Sequence, residues 1–149
     1  MKRILFSLLS LVFAISVMAV GRSGQYEWSV QLTGYISSET GKSPTAYLWI
    51  PEGCDKVKAV MLAQQNMTEE MLFKMPSFKE KLRQMGVGLI WIAPAFSQDW
   101  NPTSGCQQTF EELMPSIAYQ ANHPEIATCS VIPFGHSQSA KPCRSCAIQ

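Results

Sequence analysis

The stretch Val131-Ile132-Pro133-Phe134-Gly135-His136-Ser137-Gln138-Ser139-Ala140 decides how the chain is read. An apolar run arrives at Gly135, and a serine follows two residues later between small neighbours. The spacing is G-x-S-x-G, with Ser139 in the place of the second glycine. A serine that serves as nucleophile has to project from a tight strand-to-helix turn, where the backbone is strained and its neighbours must be small. The N–H of the next residue, Gln138, can then help hold a developing oxyanion. The plain alternative is a buried strand followed by a polar turn, because so short a pattern arises often by chance. Context separates the two. A nucleophile needs a strand before it, a helix after it, and an Asp or Glu and a His later in the chain.

Working backwards, the chain alternates between strand and helix patterns. Residues 25–36 are rich in aromatic and β-branched side chains and read as a first strand, with Gly34 as a bulge. A polar loop leads to a second strand over 45–50, stopped by the turn signal Pro51-Glu52-Gly53. A third strand, 56–63, is almost wholly apolar, as expected of an interior strand covered on both faces. Thr68 is placed to cap a helix whose first turn carries Glu69 and Glu70, at the positive end of the helix dipole. Met71, Met75, Phe78, Leu82 and Met85 recur at helical spacing and read as a core stripe, with the methionines as fillers. Pro76 divides this segment into two short helices, and Gly86 stands as its C-cap. Residues 88–93 form a fourth apolar strand, closed by Pro94.

A loop over 96–105 precedes a capping-box spacing, Ser104 to Gln107, and a helical stripe of Phe110, Leu113, Met114 and Ile117, kinked at Pro115. Asn122-His123-Pro124 breaks that helix. A fifth strand over 128–134 then delivers the opening motif. Strands alternating with helices imply parallel pairing with helices on both faces, and the more polar first strands suit an antiparallel edge.

This succession, ending in Gly135-His136-Ser137-Gln138-Ser139, resembles the α/β-hydrolase fold, in an exported esterase-like branch, over residues 25–140. The resemblance implies an α/β chain with a mixed, mostly parallel sheet, a nucleophile at Ser137 and an oxyanion hole. One donor would be the Gln138 N–H. The other would come from the loop after the third strand, Gln64-Gln65-Asn66-Met67. That loop lacks the glycines of the lipase type, so side-chain donation from Gln65 or Asn66 stands beside the alternative of a polar helix entry. Asn66-Met67-Thr68 also spells a glycosylation triplet, a frequent chance match. Trp100 falls on the expected active-site side. It can contact substrate, stacking on a sugar ring or lining an acyl pocket, or it can anchor its own loop.

The departures from that family are as informative. The triad order is serine, acid, histidine, yet the twelve residues after Ser137 contain no His, Asp or Glu. His136 lies in the x position of this strand-to-helix turn, the elbow, pointing away from the role of base, and His123 reads as a solvated loop residue. The tail 141–149 has no helical stripe. The expectation is therefore an N-terminal fragment, 25–140, of a hydrolase domain whose C-terminal part is missing, inactive alone. The alternative is a non-catalytic exported binding or accessory protein on the same fold.

Composition limits the partners. Hydrophobic residues make up 46% and charged residues 15%, enough apolar content for a core. The net charge of +1, with no basic block, gives no reason to expect nucleic acid. The expected partner is a small-molecule or carbohydrate ester. Lys2 and Arg3 precede an apolar run to Val20, the pattern of a signal peptide over residues 1–19. A membrane anchor is the competing reading, but the run is short for a span. A secreted or periplasmic protein with no membrane span after cleavage follows. The spacings of Cys54, Cys106 and Cys129 fit no metal pattern. Cys143-x-x-Cys146 has redox or half-zinc spacing but no second pair or matching histidines, so it reads as a chance pair. Five cysteines leave at least one unpaired or bridged to another chain, and no cofactor is implied. On expression with export, N-terminal sequencing of the mature protein should begin just after Ala19; a retained Met1 would reject the leader.

Overall fold

The structure, a computed structural model, describes residues 26–96 and 106–140. The segment 1–19 expected to be a signal peptide, Trp100 with its neighbours Asp99 and Asn101, and residues 141–149 with Cys143 and Cys146 lie outside the described residues.

Five strands form one mixed sheet: β1 (Trp28–Gln31), β2 (Thr45–Trp49), β3 (Ala59–Gln64), β4 (Val87–Ala93) and β5 (Ser130–Pro133), in the order β1-β2-β4-β3-β5. β1 pairs antiparallel with β2 and β2 with β4, whereas β3 pairs parallel with both β4 and β5. Four strands therefore run one way and β2 alone runs the other. β1 is shorter than its composition suggests. Leu32 still bonds to Pro44, but the Tyr35 N–H turns back to the Leu32 carbonyl, so Gly34 sits in a turn and not in a bulge.

The helices are α1 (Met67–Lys74), α2 (Pro76–Met85) and α3 (Cys106–Ala121). Pro76 separates α1 from α2 by taking the first position of the second helix, where its missing N–H costs nothing. Gly86 ends α2 in the left-handed region at φ 70°. α3 runs on through Pro115. It stops at Asn122, φ 56°, whose N–H bonds to Tyr119 O while that of His123 bonds to Ala118 O. That pair of bonds is a Schellman cap, with asparagine in the left-handed position usually taken by glycine.

The order of strands dictates where the helices go. The crossover from β3 to β4 steps one way across the sheet, and the crossover from β4 to β5 steps back over β3. Right-handed crossovers of opposite sense place their helices on opposite faces. Two cores result. Phe73 of α1 and Leu82 of α2 pack with Ala63, Leu89 and Trp91. Leu113, Ile117 and Ala118 of α3 pack with Leu48, Val60, Leu62, Ile90 and Ile92. Alternate residues of β3 and β4 thus enter different cores, which is why both strands are apolar throughout.

The methionine stripe is a correction. Met71, Met75 and Met85 are exposed, as is Met67, and the buried face of α1 is set by Glu69 and Phe73. Phe73 lies against Phe78, Trp91 and Phe134, with ring centroids 6.1, 5.7 and 6.3 Å away. An aromatic side chain that fills the gap between helix and sheet fixes the rotation of the helix, and the methionines turn outward. Phe73 is 2% exposed and Met71 68%. Phe73→Ala is accordingly expected to cost about 3–5 kcal/mol of stability, and Met71→Ser no more than about 0.5 kcal/mol. Urea midpoints of the two variants compare them directly, and equal losses would put the packed face where the methionines are.

Candidate functional site

The carboxyl ends of β3, β4 and β5 point the same way, and the helices that follow β3 and β4 leave to opposite faces. A crevice opens at such a divergence. It is a cavity of ≈ 440 Å³ lined by Gln65, Asn66 and Met67 after β3, Phe96 after β4, and His136 and Ser137 after β5. That volume suits a small molecule.

Ser137 sits at φ 57°, in the left-handed region that a serine enters at a cost of about 1–2 kcal/mol. It opens a single 3-10 turn, Ser137–Ser139, which β5 reaches through Phe134, Gly135 and His136. Its side chain is exposed and makes no hydrogen bond among the described residues. Gly135 is required by contact. A Cβ there would stand 2.6 Å from the carbonyl oxygen of Ser139, a backbone atom that cannot swing aside. Ser139, by contrast, tolerates its side chain where a glycine is usual because the hydroxyl is used. It is 5% exposed and bonded on several sides.

Some of those bonds lie within the turn, where the His136 N–H also donates to Ser139 Oγ at 3.0 Å, and others come from the hexapeptide 64–69. Gln64 at the end of β3 donates from Nε2 to Ser139 O at 3.1 Å and accepts from the Phe96 N–H at 2.9 Å. Asn66 donates from Nδ2 to His136 O at 3.1 Å and to Ser139 Oγ at 3.2 Å. Glu69, fully buried, accepts on Oε1 from both the His136 N–H and the Ser139 hydroxyl. The Ser139 hydroxyl lies 2.7 Å from His136 O as well, but a carboxylate is the stronger acceptor. Glu69 Oε2 is buried with no partner among the described residues.

This arrangement replaces an expected helix cap. Asn66 is the extended N-cap residue of α1, one turn ahead of Glu69, and the pair has capping-box spacing. Neither Thr68 nor Asn66 caps the helix with its side chain. Asn66 and Glu69 reach instead to the turn after β5. Nothing in the local sequence announces this, because the partners lie 67 to 73 residues further along.

The proposed oxyanion donors are therefore brought to Ser137 unequally. Gln65 and Asn66 both line the cavity, but the amide of Asn66 is engaged by the elbow, which also makes it a poor site for a glycan. The Gln65 backbone N–H is held by Ile92 O at 2.8 Å, so only its exposed side chain remains to donate. The backbone of Gln138 lies in the 3-10 turn; its side chain is not described. Trp100 lies outside the described residues, although Phe96 of the same loop reaches the cavity.

Comparisons with protein-family models, curated proteins and solved structures found no match. The site has to be judged on its own geometry. His136 lines the cavity beside Ser137, and its backbone on both sides is tied down by Glu69 and Asn66. His123 is not the solvated residue its sequence suggests. Its Nδ1 lies 2.8 Å from Glu125 Oε1, which also accepts from the Val57 N–H at 2.8 Å. Burial opposes ionisation of Glu125, but the bonds from His123 and Val57 outweigh it and hold the carboxyl below its usual range. Val57 precedes β3 and Ser137 follows β5, so this cluster stands at the opposite end of the sheet from Ser137. Cys54 and Cys129 carry free thiols, and burial raises that of Cys129, which keeps it protonated and unreactive. Among the described residues no group of acidic, His or Cys side chains is arranged to hold a metal, and no described helix is long and apolar enough to cross a membrane.

Two substitutions separate close contact from backbone strain. Gly135→Ala is expected to lower stability by about 1–3 kcal/mol through overpacking. Ser137→Gly should leave stability equal or higher by up to about 1 kcal/mol, because it removes the left-handed strain. Chemical denaturation measures both, and a destabilised Ser137→Gly would contradict a strained serine.

Proposed function

We propose that the chain carries the nucleophile of an exported serine ester hydrolase of the α/β-hydrolase type, with Ser137 as the attacking residue. The observation that carries this reading is the left-handed Ser137, placed after a parallel strand and facing a cavity, with Gly135 forced by the turn behind it. Asn122 shares this conformation, but there it closes a helix cap, whereas at Ser137 it falls on a cavity, and backbone strain of this kind clusters at functional sites.

In this reading the Ser137 oxygen attacks the carbonyl carbon of an ester, and its proton passes to a base. The carbonyl oxygen takes the negative charge and is met by the Gln138 N–H. A second donor comes from the Gln65 side chain or from the first free N–H groups of α1, whose positive dipole end opens on the cavity. Collapse of the intermediate expels the alcohol and leaves an acyl group on Ser137. Trp100 is proposed to contact the substrate, and a carbohydrate ester fits an aromatic in that loop. No described residue is hydrogen-bonded to the Ser137 side chain as a base: His123 is tied to Glu125 at the far end of the sheet, and His136 lines the cavity without such a bond.

That last observation favours a second reading, a non-catalytic exported binding protein that keeps the elbow and the cavity. A fluorophosphonate probe distinguishes them on purified, folded full-length chain. Covalent labelling that disappears in Ser137→Ala is the expected result for the hydrolase, and its complete absence from folded wild-type protein favours the binder.

A further inference from the structure

A carboxylate that is fully buried and lies outside the cavity is an expensive thing to place beside a turn. Glu69 is such a group. One of its oxygens accepts the His136 N–H and the Ser139 hydroxyl, the residues on either side of Ser137-Gln138. Its helix position makes this workable. In the first turn of α1 a negative charge is stabilised by the free N–H groups and the dipole. A second carboxylate, Glu70, follows it in sequence but points to Lys74 at 2.5 Å on the surface. The two acidic residues are thus sorted, one to solvent and one to the elbow.

We propose that Glu69 is a positioning residue for Ser137. Its buried carboxylate clamps the amide before the serine and the hydroxyl after Gln138, holds the serine in its left-handed conformation, and fastens the elbow to the N-terminus of α1. The nucleophile and the loop that supplies the second oxyanion donor then move as one body. The clamp rests on the hydrolase reading only for what it does to Ser137; the clamp itself can be read without any activity.

The test uses the full-length chain with Glu69→Met, which fills the same space without an acceptor, and Glu69→Gln, which restores one. Amide hydrogen exchange at His136 reports the clamp, the amides of β4 report folding, and fluorophosphonate labelling reports Ser137. In Glu69→Met, His136 protection is expected to fall about ten- to a hundredfold while β4 is unchanged. In Glu69→Gln it should return to within about threefold of wild type. Labelling of Ser137 should follow the same order. Unchanged His136 protection in Glu69→Met overturns the proposal, and so does a Glu69→Gln protein that behaves like Glu69→Met. If Glu69→Met fails to fold, Ser139→Ala decides. With Glu69 still present, His136 protection should fall less than tenfold, and its complete loss overturns the clamp. A wild-type chain that never labels while the exchange pattern holds rejects the hydrolase and leaves the clamp standing.

Discussion

The site depends on one exchange of hydrogen bonds. The first turn of α1 has the residues to cap itself, Asn66 and Glu69, yet both side chains leave it and bond to the turn at His136 and Ser139. The helix loses little, because its first residues, Met67 and Thr68, line the cavity and the Glu69 carboxyl stays in its first turn. The turn gains much. A backbone held at φ 57° by a non-glycine residue persists only where its surroundings over-determine it. Gln64, Asn66 and Glu69 supply that constraint from three successive depths, at the strand end, the helix cap and the first helical turn.

The sheet makes this encounter geometric. β3 is flanked by β4 on one side and β5 on the other, so the loop leaving β3 lies against the elbow leaving β5. Gln64 also holds Phe96 on the other side. Through one side chain β3 ties together the segments after both of its neighbours. The reversal of crossover sense puts a helix layer on each face, and the crevice is what remains uncovered where those layers part.

Much of this was legible in the chain. The alternation of apolar strands with helical stripes pointed to a two-faced sheet, and Pro76, Gly86 and Gly135 marked their turns by local sterics alone. What failed were inferences needing knowledge of the far side of a contact. The spacing Met71, Met75, Phe78, Leu82 is helical in either of two rotations, and only the aromatic gap filled by Phe73 chooses between them. Thr68 was a good cap by composition, but the helix begins one residue before it. His123 looked solvated because Glu125 and Val57 could not be seen to converge on it. Glu69 carried no signal beyond that of an acidic residue in a first helical turn, and its importance arises wholly from residues some seventy positions away.

That distance has a bearing on how the protein comes to be assembled. The bonds that join 64–69 to 136–139 span between 67 and 75 residues, whereas those within α1 and α2 span four or fewer. Closing such a long loop costs chain entropy before any of its contacts can repay it. Synthesis from the N-terminus leaves Asn66 and Glu69 waiting until β5 has emerged, with a carboxylate poised over a surface that does not yet exist. The contacts that fix the turn at Ser137 are thus long-range ones that can form only once β5 has been made.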